Sequence, residues 1–328
     1  MALDTAKTIT SGTATSAIKN RYYDQLFLKI AEKKLVHKQL GQVNRSIPQG
    51  QGGYGTGAVY WTRFTNLANI TSGTGEGVPT TPVQLTAANV TGTTAQYDNA
   101  VSVSDLMAYT AMGDVMKIAM ERLAYNAGIS IDTIVRAEVS NSGTAQGATG
   151  VYWSAVPATG VLSIGEIKKS VRTLHRNDAM EQSDGFYVAV VHPDALFDLQ
   201  SDTTTGGWID ANKYASPEAT KLFSGEVGKL HGVRFLQTSN GYVRGSSFAA
   251  GSAVVASASL YVTSVFGSDA FGVTELQNLK TYVKGFGSAG AGDPTDKLAT
   301  AGWKTTFGAA TLNSAFFVNI THAVSSTS

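Results

Sequence analysis

Residues 184–240 read DGFYVAVVHPDALFDLQSDTTTGGWIDANKYASPEATKLFSGEVGKLHGVRFLQTSN, and this stretch decides the fold class. Asp184-Gly185 is a turn that leads into the apolar run Phe186–Val191, strand-like in length and composition. His192-Pro193-Asp194 ends that run, because proline cannot donate to a sheet ladder. Gly206-Gly207-Trp208 follows a polar loop, and Ser216-Pro217-Glu218 sets proline at the first position of a helix. Gly228-Lys-Leu-His-Gly232 then leads into a second strand, Val233–Thr238. Strand alternating with helix implies a compact α/β lobe.

Upstream, Ser163-Ile-Gly-Glu166 has the form of a capping box, with Ile164, Ile167, Val171 and Leu174 inside the helix it opens. The strongest helix is Asp114–Ser140, where Met116, Met120, Leu123, Ala127, Ile131 and Ile134 recur at steps of three and four and draw one apolar stripe for packing on a sheet. Gly128 interrupts it at a cost of about 1 kcal/mol relative to alanine, and is expected to mark a close approach by another backbone. Ile18–Lys38 also has helical spacing, through Ile18, Tyr22, Leu26 and Ile30, with Lys33, Lys34 and Lys38 near its C-terminal end. The polar segment before it, residues 1–16, has the composition of a disordered terminus.

Between these helices, Ser46–Val103 reads as a two-stranded hairpin. Tyr54–Phe64 leads in, a Gly/Thr/Pro-rich tip covers Asn66–Pro82, and Val90–Val103 returns. A lone hairpin is barely stable in water, so this one must lie against its own domain or against another subunit. After the α/β lobe the chain is strand-rich around Val254–Val265, Thr281–Phe286, Trp303–Phe307 and Phe316–Thr321.

Composition restricts the chemistry. The 328-residue chain is long enough for more than one lobe, and it contains no cysteine, which excludes disulfides, thiolate metal sites and a cysteine nucleophile. Only 15% of residues are charged, and the chain is rich in Gly and Thr, which suits sheets and extended contacts to neighbours. Residues 1–63 carry nine Lys and Arg against three Asp and Glu, although the whole chain is only +1; a basic arm of this kind can meet phosphate without sequence preference. The first residues lack the pattern of a signal peptide, and no apolar stretch is long enough to span a bilayer as a helix. The N-x-S/T triplets at Asn44, Asn69, Asn89 and Asn319 are therefore read as chance in a Thr-rich chain.

Motifs with chemical content fail on context. Gly50-Gln-Gly52-Gly53-Tyr-Gly55 matches G-x-G-x-x-G but leads into a strand-like segment and not a helix, so no helical N–H groups would meet a phosphate. Gly225-Glu-Val-Gly228-Lys229 has the wrong glycine spacing for a phosphate loop. The five histidines are scattered, no G-x-S-x-G occurs, and Asp293 with Asp296 offers too few oxygens for calcium. No catalytic residue, metal or cofactor is expected.

Three phrases carry a resemblance: FYVAVVHPDALFDL at 186–199, GGWIDANKYASPEATKLFSGEVGKLHGVRFLQTSN at 206–240 and GWKTTFGAATLNSAFFVNITHA at 302–323. In content and order they resemble the major capsid proteins of tailed bacteriophages, over about residues 19–322. The resemblance implies an α+β, Hong Kong 97-type capsid fold with an N-terminal arm (1–45), an extended hairpin loop (46–103), a peripheral domain with a long spine helix (104–180), an α/β axial domain (181–300), and a return strand to the peripheral domain (301–328). It further implies self-assembly as hexamers and pentamers into an icosahedral shell around double-stranded DNA. A portal protein and a decoration or cement protein would be partners, with assembly in the host cytoplasm and residence in the virion. The hairpin would then lie on an adjacent subunit, with Tyr54, Trp61, Arg63 and Tyr97 as contacts, and Lys29, Lys33, Lys34 and Lys38 would face packaged DNA. An encapsulin-like nanocompartment is the alternative on the same fold; an enzyme or a secreted binding module is the alternative outside it. Lysine-to-asparagine crosslinks of the fold's prototype are not expected, because no lysine lies between Lys38 and Lys117 and the hairpin offers only Arg63.

Overall fold

The computed structural model describes residues 24–31, 34–44, 58–77, 79–111, 113–150, 156–157, 159–202, 208, 226–244, 260–287 and 294–325. Residues 1–16, Lys33, Tyr54 and the helix expected from Ser216 lie outside them. The chain opens with helix α1 (24–31) and strand β1 (Gln42–Val43), followed by β2 (Ala58–Phe64), β3 (Ala87–Thr93) and β4 (Ala95–Ser104). Helices α2 (Asp105–Thr110) and α3 (Val115–Asn141) precede β5 (Thr144–Gly147) and α4 (Ile164–Arg176). Then come β6 (Tyr187–Val191), α5 (Pro193–Ser201), β7 (Glu226–Leu230), β8 (Val233–Gln237) and β9 (Tyr242–Arg244). The last strands are β10 (Leu260–Phe266), β11 (Phe271–Lys284), β12 (Leu298–Thr311) and β13 (Phe317–His322).

The strands form three sheets. One has four strands in the order β1-β11-β12-β4; another has seven, β5-β13-β10-β6-β8-β7 with β9 on β10; the third is the β2-β3 hairpin. In the seven-stranded sheet, side chains alternate between two covered faces. Tyr187, Ala189, Val191, Val233, Phe235, Val318 and Ile320 pack with Ile164, Ile167 and Leu174 of α4 and with Leu196 and Leu199 of α5. Val188, Val190, Leu236, Phe266 and Phe317 point the other way, onto Ile131, Val135 and Val139 of α3. Burial on both faces explains why Phe186–Val191 is apolar throughout instead of alternating. His192 caps α5, its Nδ1 accepting from Asp194 N–H at 3.3 Å with Pro193 in the first turn. β7 and β8 turn through His231 and Gly232, both with positive φ, as a two-residue hairpin turn requires.

α3 is the beam joining the two large sheets. Its N-terminal half packs Met120, Leu123, Ala124 and Ala127 on Ala301 and Trp303 of the four-stranded sheet and on Phe27 and Ala31 of α1. At about 1.5–3 kcal/mol for each large apolar side chain buried, this stripe outweighs the penalty of Gly128 several times over. Met116 and Ile134 sit only at its margins, while Val135 and Val139 carry it on toward the seven-stranded sheet. A Cβ at Gly128 would stand 2.8 Å from the Ala31 carbonyl oxygen, so the glycine admits the N-terminal segment as expected.

Several expectations are corrected. The helix expected to reach Lys38 is followed by turns at 34–37 and a short 3-10 turn, Lys38–Leu40. The return strand of the hairpin is not one piece: it breaks at Thr94, and β4 pairs with β12 instead of with β2. β13, expected to return to the domain of the long helix, is an inner strand of the seven-stranded sheet, touching α3 only through its Phe317 face. β11 and β12 form the sheet under the first half of α3, while α4 covers the seven-stranded sheet. Ser163 makes no side-chain cap: the Glu166 N–H donates to the Ser163 carbonyl at 3.1 Å, and the Glu166 carboxylate is taken by Gln146 Nε2 at 2.7 Å and Lys169 Nζ at 2.7 Å.

Candidate assembly surfaces

The hairpin has two parts. At its base, alternation along β2 turns Val59 and Trp61 inward onto Ala310, Leu276 and Leu312, and Trp61 is only 7% exposed. Two glycines make room for the indole: a Cβ at Gly92 would stand 2.5 Å from it and one at Gly272 2.6 Å. The base is therefore held by its own subunit. Beyond Phe64, residues 65–86 form a loop closed by Thr65 N–H donating to Thr86 O at 3.0 Å. Its apolar side chains Leu67, Ile70, Val83 and Leu85 are uncovered, with Ile70 at 82% and Val83 at 71% exposure.

Of the residues expected to contact a neighbour, Arg63 is exposed near the end of β2. Trp61 is not a free contact, being buried against β11 and β12 for the reason just given. Tyr97 is likewise displaced: it lies on β4 opposite Thr305 and packs partly buried between the clusters under α3. Their aromatic character was legible in the sequence, but the partner of each strand was not.

The lysines expected to face DNA are in different situations. Lys29 is exposed on α1. Lys34 Nζ stands 5.0 Å over the ring of Tyr125, and Lys38 is ion-paired with Glu275 and lies 5.9 Å over Phe307. Behind them lies a buried polar clasp with no sequence signal beyond an Asp on the apolar side of a helix. The Asp132 carboxylate accepts from the His37 backbone N–H at 2.8 Å and faces His37 Nδ1 at 2.8 Å; Asn240 Nδ2 donates to it at 3.1 Å. Arg136 Nη1 donates to the Asn240 side-chain oxygen at 2.8 Å. The clasp thus ties the N-terminal segment, α3 and the turn after β8 together, and satisfies a carboxylate that would otherwise be costly to bury.

Two further surfaces were not anticipated. α2 presents Leu106, Met107 and Tyr109 to solvent, Tyr109 at 85% exposure. The face of the four-stranded sheet turned away from α3 carries Lys280, Tyr282, Lys284 and Lys304, the last three lining a trough of about 280 Å³ together with Asp98.

Among the described residues no three His, Asp or Glu side chains stand together as metal ligands; Asp293 lies outside them. His322 is wholly buried, its Nδ1–H donating to Ala323 O at 2.9 Å and its Nε2 facing Thr263 Oγ1 at 2.9 Å, and burial pushes its pKa down to about 4. Burial also lowers the pKa of His192, opposed by the Asp194 carboxylate.

No family model matches the chain, and no curated protein matches it in sequence. Solved structures do. The capsid of Ralstonia phage GP4 is similar with a TM-score of 0.69 at 12% identity, covering 88% of this chain and 88% of that one. The capsid asymmetric unit of cyanophage Pam1 is similar with a TM-score of 0.61 at 16% identity, covering 88% and 89%. The head structure of Helicobacter pylori bacteriophage KHP40 gives 0.60 at 10% identity, covering 87% of each chain. At such identities the likeness is one of fold, and it is a mixed α+β fold shared over nearly the whole chain.

Proposed function

We propose that this chain is the major capsid protein of a tailed bacteriophage and that many copies assemble into an icosahedral shell around the phage's double-stranded DNA. The observation that carries this reading is the extent of the likeness: the first of the similar capsid chains is covered to 88% of its own length, with no part of comparable size left over for another activity. In this reading the four-stranded sheet and the first half of α3 make the peripheral domain, with α3 as its spine. The seven-stranded sheet with α4 and α5 makes the axial domain. Residues 58–93 are the extended loop, and its uncovered tip lies on an adjacent subunit. The chain works by contact and not by catalysis; Lys29 and neighbouring cations of the N-terminal arm touch packaged DNA without sequence preference. A portal protein and a cement protein join the shell, which is assembled in the host cytoplasm and remains in the virion.

Purified protein examined by negative-stain microscopy and light scattering should be found in closed shells or capsomer-sized rings. A 34.3 kDa monomer at every salt and protein concentration would overturn the reading. The shell should also be non-covalent, because the hairpin has no lysine nucleophile and the chain no cysteine. Mature particles boiled in detergent should run as one band of subunit mass, and a ladder of oligomers would show the opposite.

A further inference from the structure

Asn240-Gly241 is the only Asn-Gly pair in the chain. An asparagine before glycine loses ammonia more readily than one before any other residue, because no Cβ shields the following nitrogen. Base removes the Gly241 N–H proton, and the nitrogen attacks the Asn240 side-chain carbonyl carbon. The bond to the amide nitrogen breaks, ammonia leaves with a proton from solvent, and a five-membered imide remains. Water then opens the imide at either carbonyl, giving aspartate or isoaspartate. One water is consumed for one ammonia released, and nothing beyond water and base is required.

The fold opposes this reaction by pinning the amide at both ends. Asn240 Nδ2 donates to Asp132 Oδ2 at 3.1 Å and to Thr133 Oγ1 at 3.2 Å, and Oδ1 accepts from Arg136 Nη1 at 2.8 Å. The same Nη1 reaches the main-chain carbonyls of Asn240 at 3.2 Å and Gly241 at 3.3 Å. Behind the turn stands His192, whose Cβ would lie 3.0 Å from a Cβ at Gly241. Ring closure carries the side chain toward the Gly241 nitrogen, and it cannot move without giving up Asp132, Thr133 and Arg136. The Arg136 cation would favour negative charge building on Oδ1, but an amide that cannot turn never reaches the geometry of attack.

What holds Asp132 in place is the segment after α1. His37 donates its backbone N–H to one Asp132 oxygen, and its Nδ1 faces the other, Oδ2, both at 2.8 Å. Oδ2 is therefore shared between the His37 ring and the Asn240 amide. With that segment docked, Asp132 is wholly buried and its bond to Asn240 is shielded from water. With it undocked, water reaches the carboxylate and competes for it, and the amide is freed. Aspartate at 240 would put an oxygen where Nδ2 now donates, 3.1 Å from a carboxylate. Arg136 would serve one oxygen of the new group, and the other would repel Asp132. Isoaspartate would lengthen the main chain by one carbon within the turn whose carbonyls Arg136 holds.

We infer that Asn240 is a deamidation site kept closed by the docked segment around His37, and that its conversion releases that segment irreversibly. The inference concerns the single subunit, so it stands or falls independently of the shell reading. In mildly alkaline buffer, mass spectrometry should find Asn240 converting at least about tenfold more slowly in the folded subunit than in the chain unfolded by guanidinium, since one charged hydrogen bond shifts an opening equilibrium by about that factor. His37→Ala, or the bulkier His37→Leu if alanine does not fold, should raise the folded rate about tenfold at a temperature well below its unfolding midpoint. Asn141-Ser142, exposed at the end of α3 and outside the clasp, is the internal clock and should keep its rate. Asn240→Asp should speed hydrogen exchange of the His37 N–H about tenfold or more. Equal rates in folded and unfolded chain, no acceleration in the His37 variant, or unchanged exchange in Asn240→Asp would each overturn the inference. Acceleration at Asn141 in step with Asn240 would assign the effect to general unfolding and overturn it as well.

Discussion

The base and the tip of one hairpin treat their apolar residues in opposite ways. At the base, Val59 and Trp61 are closed over by Ala310 and by space left at Gly92 and Gly272. At the tip, Leu67, Ile70, Val83 and Leu85 have no cover within the subunit. The base is thus an intrasubunit joint that sets where the hairpin leaves the body. The tip is a surface whose burial is deferred to another molecule, since exposed apolar clusters mark interaction sites or aggregation hazards.

The sharpest way to break this contrast is Trp61→Ala, which should destabilise the isolated subunit by about 3–5 kcal/mol, measured by thermal unfolding, as large aromatic truncations in cores do. An unchanged unfolding midpoint would mean that the base is not a joint. Acid tests the body that the base is docked on. His322 titrates near 4 when folded and near 6.5 when unfolded, so between those values the unfolded chain binds more protons. Stability should be level above about pH 6.5, fall by roughly 3 kcal/mol in all as pH drops toward 4, and gain no further loss from this group below it. In His322→Gln that part of the pH dependence should vanish. Gly272→Ala pushes a methyl into the indole and should cost about 1–3 kcal/mol by overpacking. At the other end of the scale, Ile70→Ser with Val83→Ser should leave subunit stability within about 0.5 kcal/mol. Assembly followed by light scattering should nevertheless be lost, and intact assembly in that variant would place the tip in solvent.

Much of the architecture could be read in advance because its signals are local. The stripe through Met120, Leu123, Ala127 and Ile131 specifies a helix by its own spacing, and Gly128 announces a close backbone through the absence of a side chain. Phe186–Val191, the Pro193 helix start and the His231-Gly232 turn are equally local. The errors arose where one strand had to be matched with another. Val90–Val103 has strand composition throughout, yet the break at Thr94 gives its halves to different sheets, which moves Tyr97 from a free hairpin to a packed core. Phe316–Thr321 alternates in a way compatible with either sheet, and only pairing with β10 and β5 assigns it. The candidate surfaces show the same division. An apolar, lysine-free loop is visible in the sequence, but the row Lys280–Lys304–Asp98 exists only once three strands far apart in the chain are in register.

Read by itself, the sequence determined most of the helix, strand and turn segments, that no thiol chemistry is present, and which known fold the chain resembles. Periodicity, turn chemistry and composition act over a few residues, and those are written along the chain. Tertiary structure alone decided that Trp61 is buried within its own subunit, that Asp132 is buried in a clasp with His37 and Asn240, and that Lys280 and Lys304 stand opposite each other across two strands. Strand register, and the choice of which apolar patches meet within one molecule and which stay open for the next, are set by competition among contacts distant in sequence, and no local pattern records the winner.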